Sequence, residues 1–217
     1  MFKAWMWKKL VEDFPIFLQG FGVTIAISLL ALFLTVLISF IGGLSRCSSN
    51  KFLQRLFQAY MSLFQNTPLV VQVFFLYNVL PRLGVLLTTF EVGLLGLSLY
   101  TGAFGSAIIE ASLKAIPQEQ IEAAFSQGFG YLQTMFLIIL PQAMKIALPP
   151  MTNQAVNLIK NSSVMAMVAG GELMYRSDSW ASEMAIYGPT FLITGLLYLS
   201  LCLPLSRIVQ RLERRAK

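Results

Sequence analysis

Long apolar stretches alternate with short polar islands along this chain. The first stretch runs from about Phe21 to Leu44, with no charged residue between Asp13 and Arg46. The second, about Leu56 to Leu80, is uncharged but interrupted by Gln65-Asn66-Thr67-Pro68. A third covers about Val92 to Ile109. A fourth begins near Leu132, carries Pro141, Pro149 and Pro150, and reaches towards Leu158; a fifth runs from about Met184 to Ser206. A helix needs roughly 20 mostly apolar residues to cross the hydrocarbon core of a bilayer. The pattern therefore predicts an all-α membrane protein. Its transmembrane domain, 20–217, has about five spans (21–44, 56–80, 92–109, 132–158 and 184–206). Proline and glycine inside spans are sustained where neighbouring helices or polar side chains satisfy the freed backbone groups.

The flanks refine this. Ahead of the first span, residues 1–19 mix Phe2, Trp5, Met6, Leu10 and Phe14 with Lys3, Lys8, Lys9, Glu12 and Asp13. At helical spacing these give a tryptophan-bearing apolar face, as expected of an interfacial helix. The first span is too long for the core of a cleaved signal peptide, and no small-residue cleavage site follows it before Arg46. Between the fourth and fifth spans, Gly170-Gly171 and the polar run after them suggest a break, leaving open whether 162–183 re-enters the membrane.

Composition agrees with a bilayer as solvent: 56% hydrophobic residues, 12% charged and a mean hydropathy of +0.69. Histidine is absent, which removes imidazole relays, histidine-ligated zinc and Ser-His-Asp hydrolysis. The two cysteines, Cys47 and Cys202, form no CxxC or metal-ligand pattern, and no phosphate-cradling Gly-x-x-x-x-Gly-Lys-Ser/Thr loop occurs. The net charge of +6 does not imply nucleic acid, because five of the sixteen basic residues lie in the last eleven positions, as in a membrane-flanking tail. Arg46, Lys51 and Arg55, Lys114, and the tail from Arg207 to Lys217 share one side. By the positive-inside rule that side is cytoplasmic, so the N-terminus is outside and the C-terminus inside.

The connection at 110–131 then lies in the cytoplasm, and it reads as a short helix. Pro117 suits a first turn, Gln118 and Glu119 suit the positive end of the dipole, and Gly128 can close it. Ile121 and Phe125 form an i,i+4 apolar pair, while Ala123 and Ala124 keep the helix slim. Such a helix fits another protein's groove, or packs on its own membrane domain. Glu122, Ala123, Ala124, Gly128, Ile138, Leu140 and Pro141 match every fixed position of the EAA loop: EAA, three residues, Gly, nine residues, Ile-x-Leu-Pro. On these residues the chain resembles the permease subunits of bacterial ATP-binding-cassette (ABC) importers. Asn66-Thr67-Pro68-Leu69-Val70-Val71-Gln72 and the run from Leu140-Pro141-Gln142-Ala143 through Asn153-Gln154 to Lys160-Asn161-Ser162-Ser163 look like the polar amino-acid branch.

The resemblance implies a type I importer permease fold in a bacterial cytoplasmic membrane. It implies as partners a cytoplasmic ATPase dimer, which docks on the coupling helix and binds ATP and Mg, a second permease subunit and an extracytoplasmic solute-binding protein. This chain itself would bind no cofactor and perform no chemistry. Gln154, Asn157 and Asn161 stand at i, i+3 and i+7, a polar stripe on one helix face. They are either interhelical glue or a solute path, with Thr67, Leu69, Gln72 and Ser162 as further path candidates. In relatives for cationic amino acids, carboxylates at positions matching 154 and 161 hold the basic side chain. Amides there supply no counter-charge, which favours a neutral or acidic solute such as glutamine, cystine or glutamate. Gln65 stands where the family commonly has arginine, leaving open whether this subunit binds substrate or is the silent half of a heterodimer. An ion-coupled secondary transporter would normally show an internal repeat, and none is visible. An intramembrane hydrolase lacks both histidine and Gly-x-Ser-x-Gly.

Other polar positions have plainer readings. Lys145 and Lys160 would each cost roughly 2.5–3.5 kcal/mol at a helix centre, so they snorkel, pair or face a wet cavity. Gly102, Ala103, Gly105 and Ser106 form a packing face. Glu110 pairs locally. Glu172, Asp178, Glu183 and Arg176 fall on the outer side, where exposed loops carry charge with or without a docking protein.

Overall fold

The computed structural model describes the backbone of residues 2–216 and the side chains of residues 2–211. Every regular element among them is a helix. Helix α1 (Ala4–Glu12) ends at Asp13, and α2 (Phe14–Cys47) begins at once with Pro15 in its first turn, where a missing N–H breaks no helical bond. Helix α1 is thus shorter than the segment 1–19 expected to lie in the interface, and α2 is longer than 21–44. At 34 residues, α2 is about 51 Å long and overreaches a hydrocarbon core of about 30 Å.

The second span is two helices, α3 (Lys51–Gln65) and α4 (Leu69–Asn78). They part where Pro68 holds extended backbone (φ −63°, ψ 138°) and disfavours helical geometry in the residue before it. Helix α5 (Thr89–Lys114) opens on a capping box: the Thr88 hydroxyl accepts the Glu91 N–H, and the Glu91 carboxylate accepts the Thr88 N–H. This cap starts the third span ahead of the predicted Val92. After α6 (Gln118–Ser126), α7 (Tyr131–Thr134) passes through a π-helical turn, Met135–Ile139, into α8 (Leu140–Asn161). Pro141 lacks an N–H and crowds the carbonyls one turn back, and the backbone widens there. Pro149 and Pro150 are carried inside α8 without ending it.

A 3-10 stretch, Ser162–Val168, leads to the break expected at Gly170-Gly171, where Ala169 (φ 55°) and Gly171 (φ 69°) turn left-handed. Helix α9 (Leu173–Met184) follows, and Ala185 (φ 53°) separates it from α10 (Gly188–Ala216). The last span therefore starts at Gly188, not Met184. Among the described residues four stretches are long and apolar enough to cross a membrane: Phe14–Cys47, Thr89–Lys114, Tyr131–Val168 and Gly188–Arg211. The broken pair α3–α4 makes the fifth passage.

The densest packing is between α2 and α5, which run parallel. Ser98 Oγ meets the Ala31 carbonyl at 3.4 Å and Ser106 Oγ the Ile38 carbonyl at 3.3 Å. A Cβ built on Gly102 would stand 2.7 Å from Ile38 Cγ2, and one on Gly43 2.5 Å from Ile109 Cβ. Small residues let the backbones approach because lipid gives apolar helices no hydrophobic reason to associate, so close contact and hydrogen bonds carry the pairing. Ile27, Ala31, Val73, Val92, Leu97, Leu158 and Met165 form one core. Ile109, Leu113, Ile116, Ile139, Ala143 and Ala147 form another near α6.

At the opposite end, α1 and α9 cap the bundle. Phe17 packs edge-on against Trp180 (5.4 Å between centroids), whose indole N–H donates to the Asp13 carboxylate at 2.9 Å. That bond and the Lys9 ammonium 3.0 Å away hold the Asp13 carboxyl below the usual carboxylate range. Glu172 is fully buried but satisfied: its carboxylate caps α9 through the Met174 and Tyr175 N–H groups and accepts the Tyr198 hydroxyl at 2.8 Å.

Candidate functional site: an exposed short helix and a broken-span hollow

The expected docking element is α6, with Pro117 as its N-cap and Glu119 in the first turn. Its C-terminus is fixed by backbone geometry. Gly128 takes φ +85°, its N–H donates to the Phe125 carbonyl at 3.0 Å, and the Phe129 N–H donates to the Ala124 carbonyl at 3.1 Å. These two bonds make a Schellman cap, which needs a left-handed residue at this position and so favours glycine. Gln118 Nε2 donates to the Glu122 carboxylate (3.0 Å), and the Ser126 hydroxyl to the Glu122 carbonyl (2.9 Å).

The motif residues divide by direction. Ala124 is buried and Ile121 packs against the Ile109–Ala147 core, so both face their own domain. Glu122, Ala123 and Phe125 face outward, with Phe125 46% exposed. A surface of this kind, apolar at Phe125, acidic at Glu122 and slim at Ala123, is available to a partner. A groove of about 670 Å³ runs beside it, lined by Lys114, Ile116, Pro117, Glu119, Glu122 and Phe125 among others. Ile138 and Leu140, the distal motif positions, pack on the same core as Ile121. The spacing thus reflects one helix held by a second.

The path candidates fall in two places. Around the break in α3–α4, Gln72 Nε2 donates to Thr67 Oγ1 (2.8 Å) and to the carbonyls of Phe64 (3.1 Å) and Thr67 (3.2 Å). It satisfies carbonyls that the interrupted helix leaves free. Its own Oε1 is buried without a partner. Leu69 is buried in the core. Beside Thr67 and Gln72 opens a hollow of about 320 Å³, otherwise walled by apolar side chains including Phe64, Val71, Phe75 and Leu99. Gln65 Nε2 donates to the Ala103 carbonyl at 2.9 Å, tying α3 to α5.

On α8, Gln154, Asn157 and Asn161 are half-buried, and among the described residues their side chains form no hydrogen bond. Ser162 is buried, its hydroxyl donating to the Ile159 carbonyl. Lys160 is exposed and borders a second groove, of about 260 Å³, with Ser163, Thr194 and Tyr198. Lys145 is exposed as well. No group of three or more potential metal-ligating side chains occurs among the described residues.

Sequence reasoning missed one cluster. Glu110 pairs with Lys114 one turn away, as a local partner should (2.6 Å), but also with Arg46 on α2 (3.1 Å). No local pattern signals a contact across 64 residues.

Comparison with known proteins matches this architecture. Residues 35–217 fit the family described as binding-protein-dependent transport system inner membrane component. The chain is 39% identical over 206 residues to the probable glutamine ABC transporter permease protein GlnM of Bacillus subtilis (strain 168), covering 95% of each. It is 30% identical over 211 residues to the L-cystine transport system permease protein TcyB of the same organism, covering 96% of this chain and 90% of that one. A crystal structure of an amino acid ABC transporter with histidines superposes with a TM-score of 0.88 at 28% identity, covering 95% of this chain and 97% of that chain. The chain belongs to the binding-protein-dependent transport system inner membrane component family and is a multi-pass ABC importer permease.

Proposed function

We propose that this subunit, paired with a second permease, passes a polar amino acid of neutral or acidic charge, such as glutamine, cystine or glutamate, into the cell by alternating access. A cytoplasmic ATPase dimer grips α6, and a solute-binding protein delivers the amino acid from outside. ATP and Mg sit in the ATPase, since this chain has no phosphate-cradling loop. The N-terminus lies outside and the tail inside, because Arg46 ends α2, Lys51 and Arg55 begin α3, Lys114 ends α5, and Arg207 and Arg211 lie late in α10, all on the cytoplasmic side by the positive-inside rule.

The observation that carries this proposal is the outward face of α6, held rigid by its Gly128 cap yet unused by its own domain. The expected result of Gly128→Val or Glu122→Ala is release of the ATPase on copurification, or ATP hydrolysis that no longer follows transport. Retained copurification together with retained coupling would overturn the docking role.

The polarity of the solute rests on the free amides of Gln154 and Asn161, which offer hydrogen bonds but no charge, and is supported by the glutamine and cystine relatives. Asn161→Asp should shift uptake of radiolabelled solute from glutamine towards arginine. Unchanged preference would remove Asn161 from the path. A second assignment, that this chain is the non-binding half of a heterodimer, is supported by Gln65: its amide is engaged by Ala103, and it brings no cation to a substrate carboxylate.

A further inference from the structure

At the α6 end of the bundle, Glu110 lies outside both the docking face and the path. Its side chain is 11% exposed. Oε1 accepts from Lys114 Nζ at 2.6 Å and Oε2 from Arg46 Nε at 3.1 Å. Arg46 Nη1 goes on to the Gln54 carbonyl at 3.1 Å, and Gln54 Nε2 donates to the Ser48 carbonyl. One carboxylate therefore joins the end of α2, the start of α3 and the end of α5. A buried ion pair is poor evidence for stability, since desolvation offsets most of the attraction, but it fixes geometry.

The surroundings give that geometry a use. Above Glu110, α2 and α5 interlock through small residues. Helix α3 is tied along α5 by Tyr60 Oη to the Leu99 carbonyl (2.6 Å) and Gln65 Nε2 to the Ala103 carbonyl (2.9 Å). Helix α6 follows α5 after Ala115–Pro117, and its Ile121 packs on the core that holds Ile109 and Leu113 of α5 as well as Ala143 and Ala147 of α8. A displacement of α6 reaches α5 both through the short connection and through this shared core. With α2 and α3 clamped to α5 at Glu110, all three must follow it, up to the break at Asn66-Thr67-Pro68 beside the hollow.

We propose that Glu110 is a positioning residue that converts movement of α6 into movement of the α2–α3–α5 unit, so that ATP hydrolysis below is tied to opening at the broken span. This rests on α6 being the ATPase-docking helix. The test is the complete transporter, with its ATPase and solute-binding protein, in proteoliposomes. Phosphate release and uptake of radiolabelled glutamine, cystine or glutamate, whichever the wild type carries, are read on the same vesicles.

E110Q and R46Q should each lower the amino acid moved per ATP by about fivefold or more. The double variant should be no worse than either, because both break one link. Copurification of the ATPase should stay at the wild-type level, and E110D should restore part of the ratio. A merely structural role lowers assembly, hydrolysis and uptake together while the ratio holds, and that result would overturn the proposal. If E110Q does not assemble, R46K serves: it keeps the charge but replaces the two separate donor nitrogens that Arg46 uses for Glu110 and the Gln54 carbonyl with one, loosening the bridge, and an unchanged ratio there is equally fatal. A wild-type complex that does not couple ATP to uptake overturns the docking role of α6 itself, which separates that failure from this one.

Discussion

Gln72 does more for the broken span than any other single side chain. Its amide reaches three oxygens at the interruption, and without it the Phe64 and Thr67 carbonyls would face an apolar hollow. An unsatisfied buried polar group costs about 1–3 kcal/mol. Gln72→Leu should therefore lower the thermal unfolding midpoint of the purified protein, with uptake falling further than stability because the hollow changes shape. Gln65→Leu, which frees one carbonyl, should have the smaller effect. The contrast also marks what was legible from sequence at this scale. The polar stripe of Gln154, Asn157 and Asn161, and the Gln72 position, were visible because each is a local pattern. The partners of Gln65 and Glu110 were not, because Ala103 and Arg46 lie 38 and 64 residues away.

Among the elements, the α2–α5 seam sets the strictest limits. Gly43→Leu would drive new atoms into the Ile109 side chain from a helix that cannot retreat without losing its other contacts, and overpacking of this kind costs about 1–3 kcal/mol. Gly22, in the same helix, has nothing within 4 Å of a built Cβ. Gly22→Leu should leave the unfolding midpoint in place while Gly43→Leu lowers it, and equal effects would show that the seam is not under packing constraint. The long helices and the interruptions at Pro68 and Gly170-Gly171 were readable from apolar run length, proline and glycine. Boundaries were not. The capping box of Thr88 and Glu91 extended α5, the left-handed Ala185 delayed α10, and Pro15 let α2 begin within the predicted interfacial segment. Each of these is decided by a few hydrogen bonds or one backbone angle, to which hydropathy is blind.

Across the whole molecule, the two ends respond to different variables. The α6 end is held by basic groups around one carboxylate; the α1–α9 end is held in part by Asp13. Because the Asp13 carboxyl is held below its ordinary value in the folded protein, its contribution is present above pH about 4 and is lost as pH falls through the lowered folded value. With Trp5 and Trp7 changed to Phe, Trp180 emission should shift on acidification below about pH 4, and Asp13→Asn should remove that shift. A shift that persists in Asp13→Asn would assign it to another carboxylate. The transporter fold was legible because seven motif residues and five apolar runs agreed. How deeply each motif residue sits was not, since Ile121 and Phe125 are one turn apart on α6, yet Ile121 packs partly on the core while Phe125 is 46% exposed.

The parallel pairing of α2 with α5 also dictates an order of assembly. Its hydrogen bonds join residues 67 and 68 positions apart, with the whole of α3 and α4 made in between. While the chain is being synthesised, α2 would enter the bilayer with Ser39, Gly42 and Gly43 still without the α5 residues they meet in the folded protein, until α5 has been completed. The seam that makes the finished transporter rigid is, during its birth, an exposed polar notch in lipid. A chain halted before Lys114 would present that notch to any small-faced helix nearby.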